Sequence, residues 1–266
     1  MIDKTAVIHP SAKIAEDAYI GPYVVIGENV TIGSGTKVLS HTHIEHSEIG
    51  KNCTISSFST IGSAPQDLGY KGEETKVVIG DETIIKENVT IHRGAACGDF
   101  TTRVGNKCLL MVGSHIAHNC VIEDQAILAN LATLGGHVHV GFGAFIGGMS
   151  VFHQNIRIGD MAIVSGFSAS RQDILPYSKC DGRPAAPRGI NVIALKRRGV
   201  DLETRTAINA AFKMLISPET NTTQAIEKIK AELPMNEYIE KMINFVQTSK
   251  RGVVLKAKAG NVSMED

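Results

Sequence analysis

Four histidines in the middle of the chain, His115, His118, His137 and His153, are of a type and spacing that could do chemistry. An imidazole titrating near pH 6.5 suits general-base work at neutral pH. Three neutral imidazoles in a group are equally a ligand set for Zn²⁺. Within "GSHIAHNC" (113–120), His115 and His118 would share one face of a helix but lie on opposite faces of a strand. The element that carries them decides which chemistry is open.

That element is announced by a period of six. Ile8, Ile14, Ile20, Ile26, Ile32, Val38 and Ile44 recur at this interval. One residue is dropped at "IEHSE", and the phase resumes at Ile49, Ile55 and Ile61, then at Ile79, Ile85 and Ile91. From Val104 it runs without a break to Val164. Six fits no helical face, but it fits a short strand and a turn repeated as one side of a prism. This is the hexapeptide signature of a parallel β-helix, three hexads to a coil. A chain with no Trp and only 5% aromatic residues is consistent with a core of small, repeated layers. Two polar segments, 63–77 and 94–103, interrupt the repeat and are expected as loops ejected from the solenoid, where function commonly sits.

The period ends near Tyr177. "DGRPAAPRG" reads as a linker, and helices follow. "INVIALKRR" closes on Gly199 with basic residues in its last turn. Asp201 is a candidate N-cap for a helix with a stripe at Ala207/Ile208, Ala211/Phe212 and Leu215/Ile216. The expected organisation is a mainly β fold: a β-helix over 1–187, then a small α-helical domain over 188–266 that caps the open sheet edge.

Because three hexads make a coil, positions on successive coils can be superposed. His137 minus one coil is 119, and His153 minus two coils is 117, on either side of His118. The three should therefore line one edge of the prism, with His153 about 10 Å from His118. That spread is long for a single zinc with ligands at about 2.1 Å, although a site shared between subunits would evade the objection. Two readings follow: one histidine as general base with the others contacting substrate, or a metal site. His9, His41, His43 and His46 lie far down the coil and read as bystanders.

Other classes are disfavoured. Lys+Arg and Asp+Glu are both 27, so no global charge argues for nucleic acid. The N-terminus lacks an apolar signal region, and no apolar run reaches the roughly 18 residues of a spanning helix, which points to a cytoplasmic protein. The five cysteines form no C-x-x-C and read as reduced thiols.

"PQDLGYKGE", "NVTIHRG", "HIAHNC", "ILANLATLGGHV", "FIGGMSVFHQ" and "INVIALKRRG", in this order, closely resemble the UDP-N-acetylglucosamine O-acyltransferase family of hexapeptide-repeat transferases. The likeness runs from "MIDKTAVIHPSA" to "SKRGVV". It implies a left-handed β-helix, a hand opposite to the general crossover preference, and a homotrimer with active sites between subunits. The implied activity is transfer of a 3-hydroxyacyl chain from acyl carrier protein to the glucosamine 3-position of UDP-N-acetylglucosamine in lipid A biosynthesis, with no metal or other cofactor. The resemblance makes His118 the catalytic base and the Gly136 N–H the oxyanion donor. It implies sugar contacts at Gln66 and Asp67, substrate contacts at His115 and His137, and nucleotide or phosphate contacts at Gln154, Asn191, Arg197 and Arg198, with His153 beside them. Gly166 matches the position that limits acyl-chain length.

The sequence departs from the family pattern at three places. Asn119 stands where an Asp commonly follows the base, Gly69 where a Lys follows the loop Asp (with Lys71 nearby), and Ile193 where an acidic residue is linked with uracil recognition. Two alternatives stay open at this point. One is the same chemistry on a 3-amino sugar nucleotide, giving an amide. The other is a zinc-dependent lyase similar to the gamma-class carbonic anhydrases, which carry three histidines on a left-handed β-helix.

Overall fold

A computed structural model describes residues 1–255, so residues 256–266 of the expected helical domain lie outside the described residues. Residues 1–181 form a three-sided parallel β-helix, to which Ala186–Ile190 adds one antiparallel strand. Most strands are two residues long, the first facing out and the second buried: Val25 is 39% exposed and Ile26 1%. One inward Ile, Val or Leu per side fills each layer, which is the physical origin of the six-residue period. Between strands the chain turns through one residue near φ +60° per corner, among them Asn29, His41, Asn52, Asn119, His137 and Asn155. Few side chains tolerate that left-handed conformation, Asn and His among the least reluctant.

The first face is a nine-stranded sheet running from Val7–Ile8 through His115–Ile116, Thr133–Leu134 and Val151–Phe152 to Ala169–Ser170. The second has eight strands, from Lys13–Ile14 through Val121–Ile122 to Arg157–Ile158. The third has ten, from Tyr19–Ile20 through Ile127–Leu128 to Ala186–Ile190. Regular coils pair residues 18 apart, as Leu109 with Ile127 and Ile127 with Phe145. The dropped residue appears as Thr31 paired with Glu48, 17 apart.

The interruptions are smaller than the sequence suggested. Ser47 pairs with Val77 and Thr90 with His115, so each excursion lengthens a single coil and the stacking continues beyond it. Thr60–Ser63, Lys76–Ile79 and Thr101–Val104 are all strands, which leaves 64–75 and 93–100 as the excursions rather than 63–77 and 94–103. Lys76 and Arg103 are polar yet still pair, because outward positions of a β-helix need no apolar side chain.

"DGRPAAPRG" is likewise not a free linker. Ala186–Ile190 pairs antiparallel with Ser178–Asp181, so the boundary expected at 187/188 falls inside a strand. Four helices follow: α1 (Val192–Arg197), α2 (Leu202–Ile216), α3 (Thr222–Glu232) and α4 (Glu237–Gln247). Asp201 caps α2, its Oδ1 accepting the Thr204 N–H at 2.8 Å. The expected stripe is buried at Ala207, Ile208, Ala211, Phe212 and Leu215. It packs into a second core that also takes Met161, Leu175 and Tyr177 from the last coils. An ion pair locks the two parts together. Buried Asp173 accepts from Arg157 Nε at 3.0 Å and from Ser249 Oγ at 2.8 Å, while Arg157 donates to the Phe245 carbonyl at the end of α4. Among the described residues, no helix is long and apolar enough to cross a membrane.

Candidate active site

The corner between the first and second faces carries the histidines. His115–Ile116 pairs with Thr133–Leu134, which pairs with Val151–Phe152. Carried past the strands, this register sets His118 level with Gly136 and Gln154, and Asn119 level with His137 and Asn155. The His137 N–H donates to the His118 carbonyl at 3.0 Å, and the Asn155 N–H to that of Gly136 at 2.9 Å. His118 and His137 meet edge to face, with ring centroids 5.3 Å apart.

His118 is oriented by Asn119. The Asn119 Oδ1 accepts the Ala95 N–H at 2.9 Å, and its Nδ2 donates to the Ala95 carbonyl at 3.1 Å. Two backbone groups of opposite polarity thus fix which way the amide faces. The same Oδ1 lies 2.9 Å from His118 Nδ1. Only an Nδ1–H satisfies that contact, so the neutral ring keeps its lone pair on Nε2. Asn119, standing where the resemblance leads one to expect an Asp, thus orients the imidazole through a neutral amide.

Gly136 lies under that Nε2. A Cβ on Gly136 would come within 2.6 Å of both Cε1 and Nε2 of His118. The φ of Gly136 is not in the left-handed region, so the glycine is required by the approach of the imidazole, not by backbone conformation. Among the described residues, its N–H donates to no acceptor.

The two excursions close over this corner. Asp67, from the first, accepts the Gly69 N–H at 2.8 Å, and that bond holds its carboxyl below the usual range. Gln66 is exposed beside it. Gly69 thus serves Asp67 through its backbone, while exposed Lys71 is held by its own N–H to Glu73. Arg93 ties the loop bases together, bonding the Gly62 carbonyl at 2.8 Å and Tyr70 Oη at 3.1 Å. From the second excursion, the exposed Cys97 puts Sγ 3.3 Å from His137 Nε2 and 3.6 Å from Asp67 Oδ2. Partial desolvation and the Asp67 carboxylate push the Cys97 thiol up, while desolvation and then His118 push His137 down.

His115 belongs to a neighbouring pair. Its Nδ1 lies 2.7 Å from Thr90 Oγ1, and its ring meets buried His92 edge to face at 5.0 Å. Burial and then His92 lower its pKa to about 4, so it is neutral across the physiological range. Burial and then His118 lower His92 as well. The coil arithmetic could not find His92, because the second excursion stretches the interval between Thr90 and its partner His115 beyond that of a regular coil. Cys97, inside an excursion, had no register at all.

The expected row of three histidines is a pair. His153 is level with Gly135, one step short of the position it would need. It lines a separate groove of about 670 Å³ over the first face, where its Nδ1 lies 2.8 Å from the Arg251 guanidinium. Gln154 is exposed next to it. Among the described residues of one chain, the group whose donor atoms converge is Cys97, His118 and His137.

The remaining residues lie at other corners. Arg198 sits between the second and third faces, its guanidinium 4.6 Å above the Phe142 ring and bonded to Gln125. Arg197 and Ile193 are exposed on α1. Asn191 caps that helix, accepting the Ala194 N–H at 3.2 Å and donating to the Met161 carbonyl at 2.8 Å. Gly166 lies on the corner between the third and first faces, where Leu131, Met149 and Phe167 stack as an exposed apolar ridge. The sequence showed no sign of this ridge, since its members occupy turn positions, outside the inward period.

A family model described as UDP N-acetylglucosamine O-acyltransferase, domain 2, matches residues 173–254, and one described as the GMPPB C-terminal domain matches residues 2–97. An acyl-[acyl-carrier-protein]–UDP-N-acetylglucosamine O-acyltransferase of Thermodesulfovibrio yellowstonii is 46% identical over 253 residues, 95% of this chain and 98% of the relative. The crystal structure of a UDP-N-acetylglucosamine acyltransferase from Bacteroides fragilis superposes with a TM-score of 0.92 at 39% identity, covering 96% of this chain and 100% of that one. The Arabidopsis UDP-N-acetylglucosamine acyltransferase superposes with a TM-score of 0.82 at 29% identity, covering 96% and 100%.

Proposed function

The chain belongs to the UDP-N-acetylglucosamine O-acyltransferase family, and from that premise we propose that it moves a 3-hydroxyacyl chain from acyl carrier protein to the glucosamine 3-hydroxyl of UDP-N-acetylglucosamine in lipid A synthesis, in the cytoplasm, with His118 as general base. The observation that carries this reading is the Ala95–Asn119–His118 chain of hydrogen bonds, which leaves the Nε2 lone pair free at the open corner.

His118 Nε2 takes the proton of the sugar hydroxyl as its oxygen bonds to the thioester carbonyl carbon. The carbonyl oxygen takes up the displaced electron pair, and the Gly136 N–H stabilises the resulting oxyanion. Collapse re-forms the carbonyl, breaks the C–S bond, and the departing thiolate of the carrier recovers the proton from Nε2. His115, held neutral by burial, and His137, whose pKa desolvation lowers, contact the substrate. Gln66 and Asp67 hold sugar hydroxyls. Gln154, His153, Arg197 and Arg198 contact nucleotide and phosphates, the guanidinium fork suiting a diphosphate, and Asn191 fixes the start of α1 that carries the arginines. The cationic run Lys196–Arg198, with Arg188 and Arg205, meets the acidic carrier protein.

The dispersal of these residues over three corners supports a homotrimer. Threefold packing would bring one chain's Leu131–Met149–Phe167 ridge, with Gly166, beside another chain's His118 and give the exposed ridge a partner. Sedimentation equilibrium tests it: a monomer at assay concentration contradicts the shared cleft.

A second reading is amide formation on a 3-amino sugar nucleotide, favoured by Gly69 and Ile193 standing where the family has charged residues. Mass spectrometry of products from both acceptors, with wild type and His118→Ala, decides the matter. Ester product from wild type and loss of more than about 10²-fold in the variant are expected. Retained transfer in His118→Ala removes it as base, and amide as the preferred product replaces the acceptor.

A further inference from the structure

The transfer chemistry gives Cys97 no task, yet its thiol stands against the general base's neighbour. From this juxtaposition we infer that Cys97, His118 and His137 form a binding site for a thiophilic divalent cation, Zn²⁺ above all, which ties up the base and switches transfer off. The cation-binding claim stands on geometry alone; the switching claim rests on the acyltransfer reading.

The donor atoms of the three residues all lie within 4.8 Å of one another. Around a tetrahedral zinc, with Zn–S about 2.3 Å and Zn–N about 2.1 Å, neighbouring ligand atoms sit roughly 3.3–3.6 Å apart. The Cys97 Sγ to His137 Nε2 distance, 3.3 Å, lies about 0.3 Å inside the sulfur–nitrogen end of that range. The Asp67 carboxylate, 3.6 Å from the same sulfur, is placed for the fourth corner. Modest side-chain adjustments bring His118 into the set.

The surroundings favour the same outcome. A histidine ligand usually donates its other ring N–H to a carbonyl or carboxylate, which fixes its tautomer. His118 does so through Nδ1–H to Asn119 Oδ1, leaving Nε2 as the ring nitrogen free to bind. Asn119 also holds both backbone groups of Ala95, close before Cys97 in the chain, so one amide positions a ligand on the coil and a ligand on the excursion. Binding takes one proton from the Cys97 thiol to solvent and replaces it with the metal. The occupied Nε2 then has no lone pair for the sugar hydroxyl. The ligand set differs from the three-histidine set of a zinc lyase, and the cation would be an inhibitor instead of a cofactor.

The test titrates Co²⁺ into metal-free protein and reads its absorption. One equivalent per chain, with visible bands of tetrahedral cobalt and a near-ultraviolet thiolate-to-cobalt band, is expected, and Zn²⁺ should displace it. Cys97→Ser should lose the thiolate band and weaken Zn²⁺ binding at least about tenfold. Cys108→Ser, which removes a buried core thiol, should retain both. Each protein's transfer rate, measured against its own metal-free rate, should fall with Zn²⁺ at the concentration where the site fills, and Cys97→Ser should resist. Absence of the thiolate band in wild type, or its persistence in Cys97→Ser, overturns the site. A normal spectrum from a protein that transfers no acyl group when metal-free overturns the acyltransfer reading and leaves the site standing.

Discussion

The Asn119 Oδ1 lies 2.9 Å from the Nδ1 of His118 while accepting the Ala95 N–H, so a neutral amide fixes the tautomer of the adjacent imidazole. Asn119→Ala removes that contact and orphans both backbone groups of Ala95. We expect kcat to fall on the order of 10- to 100-fold with KM for the sugar nucleotide little changed. The lost backbone pairing should cost about 1–3 kcal/mol in denaturant melts. An unchanged kcat would show that the tautomer needs no partner.

Gly136→Ala tests the approach of His118 to the backbone. The new Cβ, 2.6 Å from two ring atoms, must displace the imidazole. Because the backbone there suits any residue, the variant should melt near the wild-type temperature. A displacement of about an ångström at a reacting group can cost about 100-fold in rate. Wild-type kinetics in a variant whose crystal structure shows an unmoved ring would refute this.

Gly166→Met tests the acyl cleft. A Cβ there meets only the Gly148 backbone, the carbonyl at 3.2 Å, and otherwise points into open space. A longer side chain should shorten the acyl chain accepted. Two excluded methylenes, at about 0.8 kcal/mol each, lower kcat/KM for the longest donor more than about tenfold. Competition among carriers of graded chain length, read by mass spectrometry, should shift to shorter products; an unchanged distribution would remove Gly166 from the cleft.

His115 makes the fold sensitive to acid. Its pKa is about 4 in the folded chain against 6.5 for a free side chain. Below pH 6.5 the unfolded state therefore binds a proton that the folded state does not. The stability is whole above pH 6.5 and declines as pH falls toward 4, by roughly 1–2 kcal/mol at pH 5 after discounting for the ring's open edge. Urea melts at pH 7 and pH 5 should show this loss in wild type and a smaller one in His115→Gln, with buried His92 supplying a residual of the same sign. An equal loss in both proteins would mean that His115 titrates normally.

Much of the molecule was legible in one dimension, because in a β-helix sequence separation maps directly onto space. Ile116, Leu134 and Phe152 stack because they are 18 apart, and His137 meets His118 because it is one coil and one residue on. That mapping holds only while the coil length is constant and the direction of each side chain is known. His153, placed correctly along the chain, turns into its own groove and bonds Arg251, 98 residues away. Cys97 reaches the site on the second excursion, and strand residue His92 meets His115 only because that excursion lengthens the coil between them, a path no period records.

The amino-acid order by itself determined the architecture: an inward aliphatic every sixth residue can be buried by stacked coils and by little else. It also set His118 and His137 on one corner. The tertiary structure decided what surrounds them. Excursions carry no hydrophobic repeat, and their course is set by long-range bonds such as Asn119 to Ala95 and Arg93 to Gly62 and Tyr70. Those contacts choose the tautomer of His118 and bring Cys97 to His137, while Arg251 holds His153 in its own groove.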